Sequence, residues 1–288
     1  MLTPKGWTFF RLLLNKFNAG KQEAAIALLP ENEQQEIRQY QSPSTQPEVL
    51  LPASLGWLGK IHYSWLEAPL RTLPGAFSSC LLATFQEKQA NSLTKRLHLD
   101  KVEHRYPESI KNFLLGHLYA AWPDKEILPQ ELLPPSQLAP LLQCTKAELV
   151  ELIDYLPMSD LAEEVRHIVD KKLIQAIICD LTRGQQKYLK SCLHQKSKVS
   201  LPSLDVRKIH QDKKSFLTIL HKRGLKRLSI GLSGQHPDFI WHIAHILDIG
   251  RGKILMEQCE KEELPTVTQV TALQILQIVQ LVKAKEAS

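Results

Sequence analysis

The densest set of reactive side chains in this 288-residue sequence is a run of bases between residues 207 and 227. Eight bases stand there against one acid, Asp212, which gives the segment +7 while the whole chain carries +6. The bases are Arg207, Lys208, Lys213, Lys214, Lys222, Arg223, Lys226 and Arg227. Such a segment attracts an acidic protein or a nucleic acid through its field. A solvated helix face without any partner is the alternative, since charges commonly coat helices.

Within this run, a smaller set of bases is predicted to form a partner-binding patch. The patch consists of Lys213, Lys214, Lys222, Arg223, Lys226 and Arg227. An acidic protein is favoured over nucleic acid because the aromatic residue of the run, Phe216, shares an apolar helix face with Ile219 and Leu220. That position leaves no platform on which bases would stack.

A second pattern has the spacing of metal ligands. Asp238, His242 and His245 recur at i, i+4 and i+7, which places them on one side of a helix. Apolar residues surround them, and the sequence has no HExxH motif and no identifiable fourth ligand. We therefore expect structural histidines, with no metal and no cofactor; a metal-dependent helical enzyme is the weakest of the functional alternatives.

Motifs for catalysis are absent from the sequence. The GRGK at 250–253 lacks the GxxxxGK[ST] pattern of a phosphate-binding loop, and neither GxSxG nor GxGxxG after a strand occurs. Paired acids such as Glu163 and Glu164 fall on charged helix faces, where solvation explains them. The sequence predicts a protein that is not an enzyme.

Composition indicates a folded cytoplasmic chain. Hydrophobic residues make up 43% and charged residues 23%, which argues against wholesale disorder. Five scattered cysteines without CxxC spacing indicate reduced thiols. An uncharged apolar run of about 18 residues is lacking, so no transmembrane segment is predicted.

Helical periodicity dominates the chain, and the predicted fold class is all-α. Linkers suggest four parts: an N-terminal helical segment at 1–55, a helical domain with a Pro-rich end at 56–140, armadillo-like stacked helices at 141–200, and a C-terminal helical domain at 201–288. In the last part, separate helices are predicted at 212–222 and 225–232.

Local signals position several helices. Trp7, Phe10, Leu13, Leu14 and Phe17 give an amphipathic first helix with Gly20 as its stop. Its apolar side fits a membrane or a partner helix, but core packing is the favoured use.

Three further signals lie downstream. Thr145 and Glu148 are spaced as a capping box, and Ser159 or Asp160 is expected to cap the helix that follows. The last helix has an apolar stripe that we expect in the core. The stripe consists of Ala272, Ile275, Leu276, Val279 and Val282.

The order of landmarks in residues 204–285 resembles the C-terminal domain of the flagellar motor switch protein family (FliG). A charged helix ends in LSIGLSG at 228–234, similar to the family's alternating apolar run that ends in glycine. A helix with Ile243 and Leu247 follows. The remaining landmarks are an Arg251-led helix, Pro265, and a closing helix with Val270 and Gln274.

A weaker resemblance lies upstream. Glu103-His104 and Pro107-Glu108, interrupted by two residues, resemble the family's Glu-His-Pro-Gln patch. In the family this patch binds the next ring protein. The resemblance therefore implies a second partner-binding patch here.

One departure from the family concerns charge. Positions that are acidic in the family are Lys213, Lys222, Gly224 and Arg227 here, so the acidic set that faces the stator is missing. The resemblance then implies a FliG-like adaptor at the cytoplasmic base of a type III secretion or flagellar-type apparatus, peripheral at the inner membrane. Its expected partners are the cytoplasmic tail of a membrane ring protein, C-ring or secretion proteins, and further copies of itself. The alternative is a basic all-α regulator that binds nucleic acid.

Overall fold

The computed structural model describes residues 4–18, 20–39, 56–99, 106–122, 127–194, 204, 212–259 and 265–286. All regular secondary structure within these ranges is helical, which confirms the predicted all-α class. The finer armadillo-like arrangement stays a prediction.

The α-helices are numbered here in chain order. They are α1 (Pro4–Phe17), α2 (Gln22–Ile26), α3 (Glu31–Gln39), α4 (Tyr63–Thr72), α5 (Gly75–Leu82), α6 (Glu87–Leu97), α7 (Glu108–Ala120), α8 (Lys146–Tyr155), α9 (Met158–Arg166), α10 (Lys171–Asp180), α11 (Arg183–Leu193), α12 (Lys213–Leu232), α13 (Pro237–Ile246), α14 (Ile249–Cys259) and α15 (Pro265–Glu286). Short 3-10 turns lie at Gly56–Gly59, Gln130–Leu132 and Ala139–Gln143.

The chain divides into two compact units. Unit 1 consists of residues 1–135 and 236–249, and unit 2 of residues 136–235 and 250–288. Each unit is therefore built from two stretches of chain. The four ranges predicted from linkers stay predictions; the units follow packing, and they divide the predicted 201–288 range because α13 belongs to unit 1.

Unit 1 holds α13 through hydrogen bonds to distant backbone. The His62 amide donates to the His245 carbonyl at 2.8 Å, and the Trp65 indole donates to the Leu247 carbonyl at 2.9 Å. The buried His245 ring lies near two indoles, with centroids 4.0 Å from Trp65 and 3.7 Å from Trp241. These contacts satisfy buried polar groups while burying large aromatic area.

Unit 2 is organised around α12, which packs against α8 and α15. Gly224 permits the first contact, because a Cβ there would lie 1.8 Å from the Ile153 carbonyl oxygen. Gly231 permits the second, because a Cβ there would lie 2.3 Å from the Ile275 side chain. Both glycines lie inside one continuous helix, so the prediction of separate helices at 212–222 and 225–232 is wrong. Gly224 serves close helix packing and does not end a helix.

Of the two helix caps predicted at the starts of α8 and α9, one is confirmed and the other is wrong. The capping box of Thr145 and Glu148 at the start of α8 is confirmed. The predicted cap of α9 by Ser159 or Asp160 is wrong, because α9 begins after Pro157 without a side-chain cap. Asp160 instead forms the ion pairs described below.

The stripe of the last helix lies in the core as predicted. Ala272, Ile275, Val279 and Val282 are buried and Leu276 is half-buried. The predicted stop of α1 also holds, since Gly20 adopts φ +83°, a left-handed conformation that glycine accepts at little cost.

Candidate functional site

The helix α12 carries the predicted basic patch. Its 20 residues contain the six bases of the patch and no acid. Asp212 caps its N-terminus by accepting from the Ser215 amide at 2.9 Å and the Lys214 amide at 3.3 Å. Hydrogen bonds from the Ser215 hydroxyl and these amides lower the pKa of Asp212. The carboxylate therefore stays ionised where the helix dipole favours negative charge.

The two arginines of the patch point into unit 2. Arg227 is 1% exposed, and its Nε donates to Asp160 Oδ2 at 2.8 Å. Arg223 donates from its Nε to the same oxygen at 2.8 Å, with 12% of its side chain exposed. One buried carboxylate thus balances two guanidinium groups. These two members of the predicted patch are interior ion-pair residues.

The ion pair continues into a polar network among three helices. Arg227 Nη1 donates to Gln274 Oε1 at 2.9 Å, and Gln274 Nε2 donates to Ser159 Oγ at 3.0 Å. The network ties α12 to α9 and α15. Buried polar groups that are satisfied in this way fix the register of the helices they join.

The lysines of the patch have different surroundings. Lys213 forms an exposed ion pair with Asp180 at 3.2 Å, and Lys226 is half-buried. Lys214 and Lys222 are exposed, and within the described ranges no carboxylate lies at ion-pairing distance from either ammonium group. They are eight residues apart, about 12 Å along the helix axis. We call Lys214 and Lys222 the lysine face of α12.

His221, beside Lys222, is engaged on both sides of its ring. Its Nδ1 lies 2.5 Å from Asp154 Oδ1, and Arg251 Nε donates to its Nε2 at 2.7 Å. Because a guanidinium only donates, Nε2 must accept, so the ring proton is on Nδ1, which donates a hydrogen bond to Asp154. An Asp-His pair of this kind resembles part of a catalytic triad. Here the second nitrogen is occupied by Arg251, so the ring links α8, α12 and α14.

The residues with metal-ligand spacing on α13 have separate protein partners. Asp238 accepts from the Leu128 amide at 3.0 Å, and His242 Nε2 donates to the Leu128 carbonyl at 2.8 Å. His245 Nδ1 donates to the Trp241 carbonyl at 2.8 Å. Burial lowers the pKa of His242 and keeps the ring neutral. No set of three His, Cys, Asp or Glu side chains suited to a metal ion occurs in the part of the chain that the structure describes.

The upstream patch is only partly within the described residues. Glu103 and His104 lie outside them. Pro107 precedes the first turn of α7, and Glu108 pairs with Lys111 at 3.2 Å on the surface. The same helix exposes apolar side chains that the sequence reasoning missed. Ile110 is 42% and Phe113 60% exposed.

The spacing of the apolar residues along α7 could have predicted an exposed contact surface. Ile110 and Phe113 are three residues apart, on one side of the helix, while Leu114 and Leu118 form the buried stripe. Phe113 packs on His117, with ring centroids 4.4 Å apart. Because Ile110 also lies one turn before Leu114, the four residues form one broad apolar side, of which the core covers only Leu114 and Leu118, and the uncovered part is available for a surface contact.

No known protein family, curated protein or solved structure matches this chain. None of the helices in the described ranges combines the length and apolar composition needed to cross a bilayer.

Proposed function

We propose that the protein is a non-enzymatic adaptor that binds an acidic protein through the lysine face of α12. The observation that carries this proposal is the sorting of charge on one helix. Asp160 balances Arg223 and Arg227 in the interior, whereas Lys214 and Lys222 extend into solvent. The arginines of α12 are thus paired inside unit 2, and Lys214 and Lys222 are the charges that α12 offers to a partner in solution.

The interior network supports this use of the surface. Because Asp160 and Gln274 hold Arg227, α12 has a fixed rotation about its own axis. The lysine face therefore keeps a constant direction and spacing. Charged groups held in this way give an interface its specificity and a fast association rate more than raw affinity.

The setting is taken from the resemblance to the FliG family. It is the cytoplasmic base of a type III secretion or flagellar-type apparatus, at the inner membrane. The partners are the cytoplasmic tail of a membrane ring protein, C-ring or secretion components, and other copies of this chain. The C-terminal landmarks of the resemblance are divided between the two units, because α13 belongs to unit 1, whereas the lysine face lies wholly on α12 in unit 2.

A second contact is proposed at the start of α7. Pro107 and Glu108 are exposed there, beside the apolar Ile110 and Phe113. A polar rim around exposed aromatic and aliphatic side chains is the usual composition of a protein interface. The resemblance implies that this surface meets the next ring protein.

The test is an affinity capture from the native organism with the full chain as bait, followed by binding of each recovered protein to purified bait. The variant is Lys214→Glu with Lys222→Glu. The matched control is Lys187→Glu with Lys190→Glu, since both of these lysines are exposed on α11. We expect an acidic secretion or C-ring protein to bind the wild type and the control, and to bind the α12 variant at least about tenfold more weakly. Equal binding to all three baits would contradict the proposal.

Nucleic acid is the other outcome of the same experiment. The buried Phe216, 1% exposed, offers no stacking surface on α12. Anisotropy with labelled duplex and single-stranded oligonucleotides at low salt tests this alternative. Binding that falls steeply with salt and disappears in the α12 variant would replace the adaptor proposal by the nucleic-acid regulator.

A further inference from the structure

The first two helices of unit 1 form a hairpin whose surface combines exposed apolar side chains with lysines. Phe17 is 71% and Leu13 44% exposed, four residues apart on one side of α1. Leu28, two residues beyond the end of α2, is 87% exposed. Side chains of this size are normally covered, and several on one hairpin indicate a contact surface.

These exposed residues are not a by-product of a loosely packed helix. The rest of α1 is anchored on two sides: Trp7 and Leu14 pack with Ile26 and Ile37, and Leu12 packs with Leu128 and Leu132. Arg11 donates to the Ile37 carbonyl at 2.8 Å. The predicted core use of the stripe therefore holds for Trp7 and Leu14, while Leu13 and Phe17 form a third, uncovered side.

The hairpin at residues 4–28 is net positive, since it contains four bases and one acid, 4 − 1 = +3. Residues 1–22 contain Lys5, Arg11, Lys16 and Lys21 and no acid. The Lys16 ammonium lies 5.6 Å from the centre of the Phe17 ring, and Lys21 is exposed in the turn between the helices. The nearest acid along the chain, Glu23, is paired with Arg38 at 3.3 Å.

We propose that the α1–α2 hairpin docks on an anionic lipid surface. Phe17, Leu13 and Leu28 enter the boundary between headgroups and acyl chains, and Lys16 and Lys21 meet the lipid phosphates. A bilayer satisfies both features at once, because it accepts apolar side chains without a shaped groove and attracts lysines that reach up to the headgroups. This contact is separate from the lysine face of α12, which lies in unit 2.

The experiment is co-sedimentation of the full chain with two kinds of vesicle. One kind is phosphatidylcholine alone, and the other contains roughly a third phosphatidylglycerol to supply negative surface charge. We expect binding to the anionic vesicles that weakens with salt, and much weaker binding to the neutral ones.

Two pairs of substitutions separate the contributions. Lys16→Gln with Lys21→Gln is expected to weaken binding about 30-fold, since each lysine near an anionic surface contributes about 1 kcal/mol. Phe17→Ser with Leu28→Ser is expected to weaken it at least about tenfold through lost apolar burial. All four side chains are exposed, so thermal melts of the variants should match the wild type.

Matched controls come from unit 2. Val169→Ser changes an apolar side chain that is 89% exposed, and Lys187→Gln with Lys190→Gln changes two exposed lysines. Both controls should bind vesicles like the wild type. So should Lys214→Glu with Lys222→Glu, which separates this contact from the proposed adaptor surface. Absence of binding to anionic vesicles, equal binding to neutral ones, or unchanged binding by the hairpin variants would overturn the proposal.

Discussion

Arg227 and Asp160 form a double hydrogen-bonded ion pair between α12 and α9 that is almost fully shielded from solvent. Their side chains are 1% and 8% exposed, and Arg223 shares one of the two carboxylate oxygens. In this geometry one carboxylate accepts hydrogen bonds from two guanidinium groups. Removal of this carboxylate should therefore lower the free energy of unfolding more than removal of a surface carboxylate does.

Asp160→Ala should lower the free energy of unfolding by about 3–5 kcal/mol, because it leaves Arg227 charged and buried without the carboxylate that balances it. Urea denaturation measures the effect. Replacing the pair together, Asp160→Leu with Arg227→Met, should cost less than Asp160→Ala alone, because the more deeply buried of the two guanidinium groups is then removed and only Arg223, at 12% exposure, loses its contact with the carboxylate. Glu23→Ala is the surface control and should change stability by no more than about 1 kcal/mol. An Asp160→Ala variant as stable as this control would contradict the interpretation.

Gly224→Ala should destabilise unit 2 by about 1–3 kcal/mol, because its Cβ would displace the backbone of α8 at Ile153. Gly116→Ala in α7 is the matched control, since a Cβ there meets no atom within 4 Å. The control should gain up to about 1 kcal/mol from the better helix propensity of alanine. Thermal melts of both variants decide the matter, and a gain for Gly224→Ala would show that α8 and α12 do not touch there.

His242 should make unit 1 sensitive to mild acid. Burial holds the pKa of the folded imidazole below its ordinary 6.5, so below that pH the unfolded chain binds a proton that the folded chain does not. Stability is therefore complete above about pH 6.5 and falls as the pH drops toward the folded pKa. The loss reverses as the pH is raised again.

The measurement compares unfolding midpoints at about pH 7.5 and about pH 5.5. His242→Gln keeps a donor for the Leu128 carbonyl without a titrating group, so its midpoint should change less between the two pH values than that of the wild type. His194→Gln, at an exposed position, is the control and should keep the wild-type pH response. An unchanged response in His242→Gln would assign the acid sensitivity to other groups.

Local spacing predicted part of this structure from the sequence. The capping box at Thr145 needs only a residue three positions away, and it is present as predicted. The same pattern at Thr182 and Gln185 also forms a capping box at the start of α11, and the sequence reasoning missed it although the signal was there. Short-range hydrogen bonds are readable because the helix itself fixes their geometry.

Long-range pairing was not readable. Asp160 and Arg227 are 67 residues apart, so Asp160 seemed a helix cap and Arg227 a surface charge. Gly224 seemed a helix break because its role depends on Ile153 in another helix. On α1, the sequence does not distinguish the apolar residues that are buried from those that are exposed. The difference depends on the helices and loops that pack against α1 in the folded unit.

The return of α13 to unit 1 has a consequence for the order in which the chain folds during synthesis. The His62 amide and the Trp65 indole find their acceptors at His245 and Leu247, about 180 residues later. Until α13 has emerged from the ribosome, unit 1 lacks the acceptors of these two hydrogen bonds. Its aromatic side chains then remain exposed, where chaperones bind them or where they promote aggregation. No single cut separates the two units, so a fragment that ends before residue 236 should be prone to aggregate, whereas a chain in which a short linker joins residue 135 directly to residue 236, without the two stretches of unit 2, should fold as an independent domain.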